Sequence, residues 1–115
     1  YKIYKMIRIA VFILVISSAF ASCPCMIDRE RLGHSTWYLL HEIAKTNPDE
    51  NQFNQFMTSL SHLYPCKVCR KHFQHNLNKY SVFPTPLSMC NFHNIVNAQL
   101  GKKEYNCSIY IQTNI

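Results

Sequence analysis

Glycine is scarce in this chain: only Gly33 and Gly101 occur among 115 residues. After residue 21 there is almost no run of β-branched residues either, so no strand pattern stands out and a β-rich fold is excluded. There is no internal repeat and no low-complexity segment, which leaves one small domain rather than an array or a linker-joined pair. The formal charge is +6, yet no basic stripe with interleaved aromatics appears, so nucleic acid is not a partner the sequence points to. Long hydrophobic runs are absent apart from one. Ile9 to Ile16 is too short for a comfortable membrane span, which takes about 20 residues.

That run has a recognisable setting. Lys2, Lys5 and Arg8 precede it, and "SSAFA" with small residues at Ala19 and Ala21 follows it. A charged start, an apolar middle and a small-residue close describe a secretory signal peptide over residues 1–21, cleaved after Ala21. An uncleaved anchor is the alternative, and only then would the chain meet a membrane. Met6 is a plausible start of translation. Cleavage removes three of the 12 cations and leaves a mildly basic domain. All 6 cysteines remain. In a secreted chain of this size they favour disulfides, which help a modest core.

What the sequence does contain is helical periodicity. Leu32 to Lys45 forms one helix, ended by "TNP". Phe53, Phe56, Met57, Leu60, Leu63 and Tyr64 recur at helical spacing and make one apolar face of a second. Pro65 fits the first turn of a third helix, over about Cys66 to Tyr80, with Val68, Phe73 and Leu77 inward. "SVFPTP" breaks the chain. A fourth helix covers about Leu87 to Leu100 with Gly101 as its C′ residue, and a short fifth turn follows near Tyr105 to Ile111. The fold class is all-α, a four-helix bundle with a short fifth helix.

The cysteines divide by spacing. Cys66 and Cys69 lie one turn apart at a helix N-terminus, where free backbone N–H groups and Lys67, Arg70 and Lys71 favour a thiolate. The thiolate is the reactive form in disulfide exchange. A zinc site is the competing reading: Cys66, Cys69, Cys90 and His93 form a Cys3His pattern, with His72 and His75 as spare ligands. An oxidising compartment weighs against it, as does the odd set of three cysteines it would leave. Cys23 and Cys25, in "SCPC", would close a strained, labile ring on the N-terminal segment 22–31. They suit a mobile dithiol, or else pair elsewhere as staples. Cys90 and Cys107 enclose 16 residues, and a bridge between them would stabilise the domain by about 3 kcal/mol.

Two helix faces carry polar groups where apolar ones are expected. Cys90, His93, Asn94 and Asn97 share a face of the fourth helix. That face is either solvated, with Phe92, Ile95, Val96 and Ala98 supplying the core, or it lines a polar ligand. Trp37 and His41, at i and i+4, mirror it on the first helix. Beside a redox-type cysteine pair, these residues suggest a pocket for a flat, hydrogen-bonding cofactor that accepts two electrons, such as a flavin.

Three blocks in order resemble the Erv/ALR family of FAD-dependent sulfhydryl oxidases. "LGHSTWYLLHEIA" is similar to the family's first FAD-binding helix, "YPCKVC" to its redox disulfide, and "CNFHNIVNAQLGKKEYNC" to its Cys-x2-His-Asn-x-Val-Asn-x2-Leu-Gly-Lys block closed by a further cysteine. The resemblance spans about Leu32 to Cys107, within a domain over residues 32–111. It implies a helical bundle holding FAD between helices, usually a homodimer, that oxidises protein dithiols and makes hydrogen peroxide from oxygen. It implies Cys66 as the exposed, attacked member of the catalytic pair and Cys69 as the one nearer the flavin, with Cys23 and Cys25 as shuttle and Cys90–Cys107 as a structural bridge. Gly33, Trp37, His41, His93, Asn94, Asn97, Lys102, Lys103 and Tyr105 match cofactor-binding positions. Substrates would be protein dithiols or a disulfide isomerase-like protein, in the endoplasmic reticulum lumen or, alternatively, the mitochondrial intermembrane space. The chain departs from the family at His34, where members often carry Arg, and in a tail with Tyr110 where many carry tryptophan.

Overall fold

The computed structural model describes residues 27–111. The segment 1–21 and the cysteines at 23 and 25 lie outside the described residues. Four α-helices follow one another, α1 Arg29–Lys45, α2 Glu50–Leu63, α3 Lys67–Lys79 and α4 Pro86–Gln99, closed by a 3₁₀ turn at Cys107–Tyr110. The expected all-α bundle with a short fifth turn is the architecture found.

Each helix starts on a side chain suited to that position. The Asp28 carboxylate accepts the Arg31 amide at 3.0 Å, and this cap starts α1 three residues before the expected Leu32. Asp49 caps α2 through the Gln52 amide. Thr85 caps α4 through Ser88, with Pro86 at the first helical position. At the other end of α4, Gly101 takes φ +67°, the left-handed conformation that a C′ glycine adopts without strain.

The core is Leu40 and Ala44 of α1, Phe53 and Met57 of α2, and Met89 and Phe92 of α4, with Trp37, Leu60, Phe73 and Leu77 packed around it. α1 packs on α4, α2 on α3, and the 3₁₀ turn on α4. Two expectations about faces fail. Val68 is 57% exposed, and Leu63 and Phe56 of the α2 stripe are also exposed. The inward stripe of α3 passes through Phe73, Asn76 and Leu77, and Val68 sits off it in the first turn, beyond the end of the core. On α2, Ser61 takes a buried place and donates to the Thr58 carbonyl at 2.7 Å. Asn76, also buried, exchanges two 2.9 Å hydrogen bonds with Gln99, which ties α3 to α4. Among the described residues no helix is long and apolar enough to cross a membrane.

Candidate active site

The site is built from the start of α3, the facing sides of α1 and α4, and the segment after Gly101. Cys66 and Cys69 are bonded as a disulfide. Cys66 is the N-cap of α3, and its sulfur accepts the Cys69 amide at 3.3 Å. Pro65 therefore precedes the cap rather than occupying the first turn. The burial order is the reverse of that expected: Cys66 is only 7% exposed, whereas Cys69 is half-buried. A capping side chain is folded back over its own helix, which shields it, while Cys69 lies in the first turn itself.

The disulfide is tied to α1 and α4 through rings. Tyr64, two residues before Cys66, meets the Thr36 hydroxyl of α1 at 3.2 Å. Its ring packs edge-on to Phe73, Phe73 packs against Phe92, and Phe92 packs against Trp37, at centroid distances of 6.0–6.3 Å. Trp37 in turn stacks on His93 at 3.9 Å and 8°.

Beside that stack opens a cleft of about 410 Å³, within the range of small-ligand sites. Its walls include Trp37, Tyr38, His41, Cys90, His93 and Tyr105. The expected aromatic and histidine residues thus converge here. Cys66 and Cys69 do not line the cleft. They stand off it, connected through the rings.

The polar face of α4 is not solvated. Cys90, His93 and Asn97 are buried, whereas Ala98, which the solvated-face alternative assigned to the core, is exposed. His41 Nε2 and His93 Nδ1 lie 3.0 Å apart, so one must donate while the other accepts. Electrostatics agree with a neutral pair. Burial, then the neighbouring His41, Lys102 and His34, push His93 down to about 4. Burial, then Lys45, lower His41 as well, against Glu42. Two neutral imidazoles and an indole suit a planar aromatic ligand with ring nitrogens and carbonyls. Gly33, one turn before Trp37, leaves open space where a Cβ would stand.

Asn94 and Asn97 do something the sequence did not reveal. The Asn94 amide donates to the Tyr105 carbonyl and accepts the Tyr105 amide, both at 2.8 Å, and also reaches the Cys107 sulfur at 3.2 Å. Asn97 donates to the Lys103 carbonyl at 3.3 Å, and its own carbonyl accepts the Lys102 amide at 2.8 Å. Together they fold the segment Lys102–Tyr105 back along α4, leaving the Lys102 and Lys103 side chains exposed. The Cys90–Cys107 disulfide fastens its end. Thr36, Tyr64, Tyr38 and Asn106 are further site residues that sequence reasoning missed, because their contacts are long-range and follow no helical period.

The sulfurs of the zinc reading are divided: Cys66 is bonded to Cys69, and Cys90 to Cys107. Among the described residues no group of three or more His, Cys, Asp and Glu side chains is placed to hold a metal ion. His72 and His75 lie exposed on α3.

Residues 34–115 match the model of the Erv1 / Alr family. The chain belongs to that family. Among its relatives, the FAD-linked sulfhydryl oxidase ERV1 of Oryza sativa subsp. japonica is 36% identical over 92 residues, covering 70% of this chain and 47% of that protein. The mitochondrial FAD-linked sulfhydryl oxidase ERV1 of Saccharomyces cerevisiae is 33% identical over 96 residues, covering 72% and 50%. The chain thus spans about half the length of the curated Erv1 relatives it matches. The crystal structure of the FAD binding domain of Erv1 from Saccharomyces cerevisiae superposes with a TM-score of 0.66 at 31% identity, covering 76% of this chain and 93% of that one. The all-helical Erv1 core is therefore the fold of this chain.

Proposed function

We propose that this Erv1 / Alr chain is a FAD-dependent thiol oxidase that converts protein dithiols to disulfides. The observation that carries the proposal is a disulfide at the N-terminus of α3, joined by packed rings to the Trp37–His93 cleft. In the reaction a substrate thiolate attacks the Cys66–Cys69 bond and forms a mixed disulfide with one sulfur, releasing the other as a thiolate. The second substrate thiolate resolves it, so the substrate leaves oxidised and the pair is left as two thiols. The two electrons and two protons end on oxygen as hydrogen peroxide. When bound, FAD supplies the carrier that takes both electrons from the reduced pair and returns them to oxygen. The chain's own part is to favour the released thiolate by the N–H groups opening α3 and to present the neutral His41–His93 pair and Trp37 to a planar ring. Lys102 and Lys103, exposed on the segment after Gly101, are the cations that would neutralise phosphate oxygens.

The wider reading follows the resemblance. Cys23 and Cys25 act as a shuttle that relays electrons to the pair from substrates that do not reach it directly, within a subunit or across a homodimer. Exposed Tyr38 and Leu39 on α1 support an interface between copies. The compartment is an oxidising one: the endoplasmic reticulum lumen by the reading of residues 1–21, or the mitochondrial intermembrane space, the yeast relative being named mitochondrial.

The test is the purified full chain. A yellow preparation that consumes oxygen with dithiothreitol, and a Cys69→Ser variant that folds normally without turning over, are expected. A colourless, zinc-loaded protein that consumes no oxygen would overturn the reading.

A further inference from the structure

The surface around the Cys66–Cys69 disulfide has a chemistry that the oxidation step alone does not require. Leu63 is 76% and Val68 57% exposed, one on each side of Cys66 in the chain. Large apolar side chains are exposed elsewhere on this chain too, but Leu63 and Val68 are the two that flank the reacting bond. Lys67, Arg70 and Lys71 fall at i, i+3 and i+4, and so share a face of α3 next to Val68. None of these cations forms a salt bridge among the described residues. None has a carboxylate nearby in sequence either: no Asp or Glu occurs between Glu50 and Glu104, so the facing helices α2, α3 and α4 contribute only Glu50, at the far end of α2. A cluster of one sign without counter-charges raises the local concentration of the opposite sign and suppresses like-charged partners.

We infer that this rim is a substrate-selecting surface, and that it selects polypeptide dithiols set in an acidic segment with an aliphatic residue next to a cysteine. The aliphatic residue packs on Leu63 and Val68, and the flanking carboxylates meet Lys67, Arg70 and Lys71. This inference rests on the oxidase reading and narrows it to a class of substrate. Stabilising a thiolate needs positive potential only; it does not need two exposed aliphatic residues. Their pairing with the cations is what favours a docking role.

The experiment measures oxygen consumption by the flavin-loaded full chain with three peptides. They share a Leu-Cys-x-x-Cys core and differ in flanking Glu, Gln or Lys; dithiothreitol serves as a substrate without a docking segment. The Glu peptide should exceed the Lys peptide in kcat/KM by roughly tenfold at low salt, the product of a few exposed charge contacts. The preference should shrink at about 0.15 M salt and above, where exposed charges are screened within about 8 Å. In K67Q/R70Q/K71Q the Glu-to-Lys ratio should fall to about one, whatever happens to the absolute rates; a ratio cancels any change in thiolate reactivity. In Val68→Ser the advantage of the Leu core over the same peptide with Ser should disappear. Equal kcat/KM for the three peptides, a preference for the Lys peptide, or a ratio unchanged in the triple variant overturns the inference while turnover of dithiothreitol leaves the oxidase reading standing. Absence of turnover with dithiothreitol overturns both.

Discussion

Replacing Asn94 by alanine separates a residue that grips the cofactor from one that shapes its site. The side chain makes two 2.8 Å bonds to the Tyr105 backbone and a 3.2 Å contact to the Cys107 sulfur. Two ordinary hydrogen bonds each contribute a net 0.5–1.5 kcal/mol, roughly. The sulfur contact adds less, and the partial exposure of the site lets water replace some of the loss. About 1–2 kcal/mol is therefore expected, a fall in Tm of about 4–16 °C for a domain of this size. The Tyr105 ring lies 5.1 Å from that of His93, so freeing the segment loosens one wall of the cleft. Thermal melts of the full chain, with and without FAD, and fluorescence titration of FAD are the measurements. The flavin-free protein should already melt lower, and FAD should bind up to about tenfold more weakly, which corresponds to about 1.4 kcal/mol. Asn94→Asp should be no milder than alanine: it keeps an acceptor for the Tyr105 amide but sets an anionic oxygen against the Tyr105 carbonyl. An unchanged melt of the flavin-free protein, together with a hundredfold or greater loss of FAD, would refute bracing and make Asn94 a direct ligand contact.

Cys90→Ser opens a bridge that spans the turn after α4; the chain-entropy model puts the loss at about 3 kcal/mol, or about 10–25 °C in Tm, while Cys69→Ser, which opens a ring of only four residues, should lower Tm far less. Cys66→Ser and Cys69→Ser each leave one thiol of the pair, which attacks an added peptide disulfide and is held as a mixed disulfide while the peptide's other sulfur leaves as a thiolate. With Cys66 only 7% exposed and Cys69 half-buried, mass spectrometry should find faster trapping on Cys69 in Cys66→Ser; faster trapping on Cys66 in Cys69→Ser would refute access as the factor that sets the order of attack. Burial holds His93 at about 4 and His41 below its ordinary 6.5 in the folded chain. The unfolded chain therefore binds more protons in this window, so stability is full above about pH 6.5 and falls as the pH drops toward about 4. Thermal melts across that range should show the slope, and His93→Asn should flatten it.

How far the sequence spoke for the structure differs from residue to residue, and the differences have physical causes. The helices were legible because apolar spacing, caps and breakers are local: Pro86, Gly101 and the Phe53–Met57 stripe each act within a turn of themselves. The inward expectation for Val68 failed because periodicity locates a face, not where the core ends, and the first turn of α3 projects past that end. The burial of Cys66 was hidden for a similar reason: a capping role is decided by which way the preceding chain enters the helix. The cleft was half legible. Trp37, His41 and His93 announce themselves by residue type and spacing. Asn94 and Asn97 also stood out as polar groups on an inward face, yet their partners are backbone atoms of residues 102–105, and a backbone amide or carbonyl carries no mark in the sequence. A polar side chain on a buried face is therefore ambiguous by nature. It can turn outward to a ligand or sideways to its own chain, and in this chain two such asparagines build the wall against which a ligand would rest. The same ambiguity applies to the cations beside Cys66. Their charge was read as an aid to a thiolate, and only the exposure of Leu63 and Val68 beside them gives the surface a second partner to recognise.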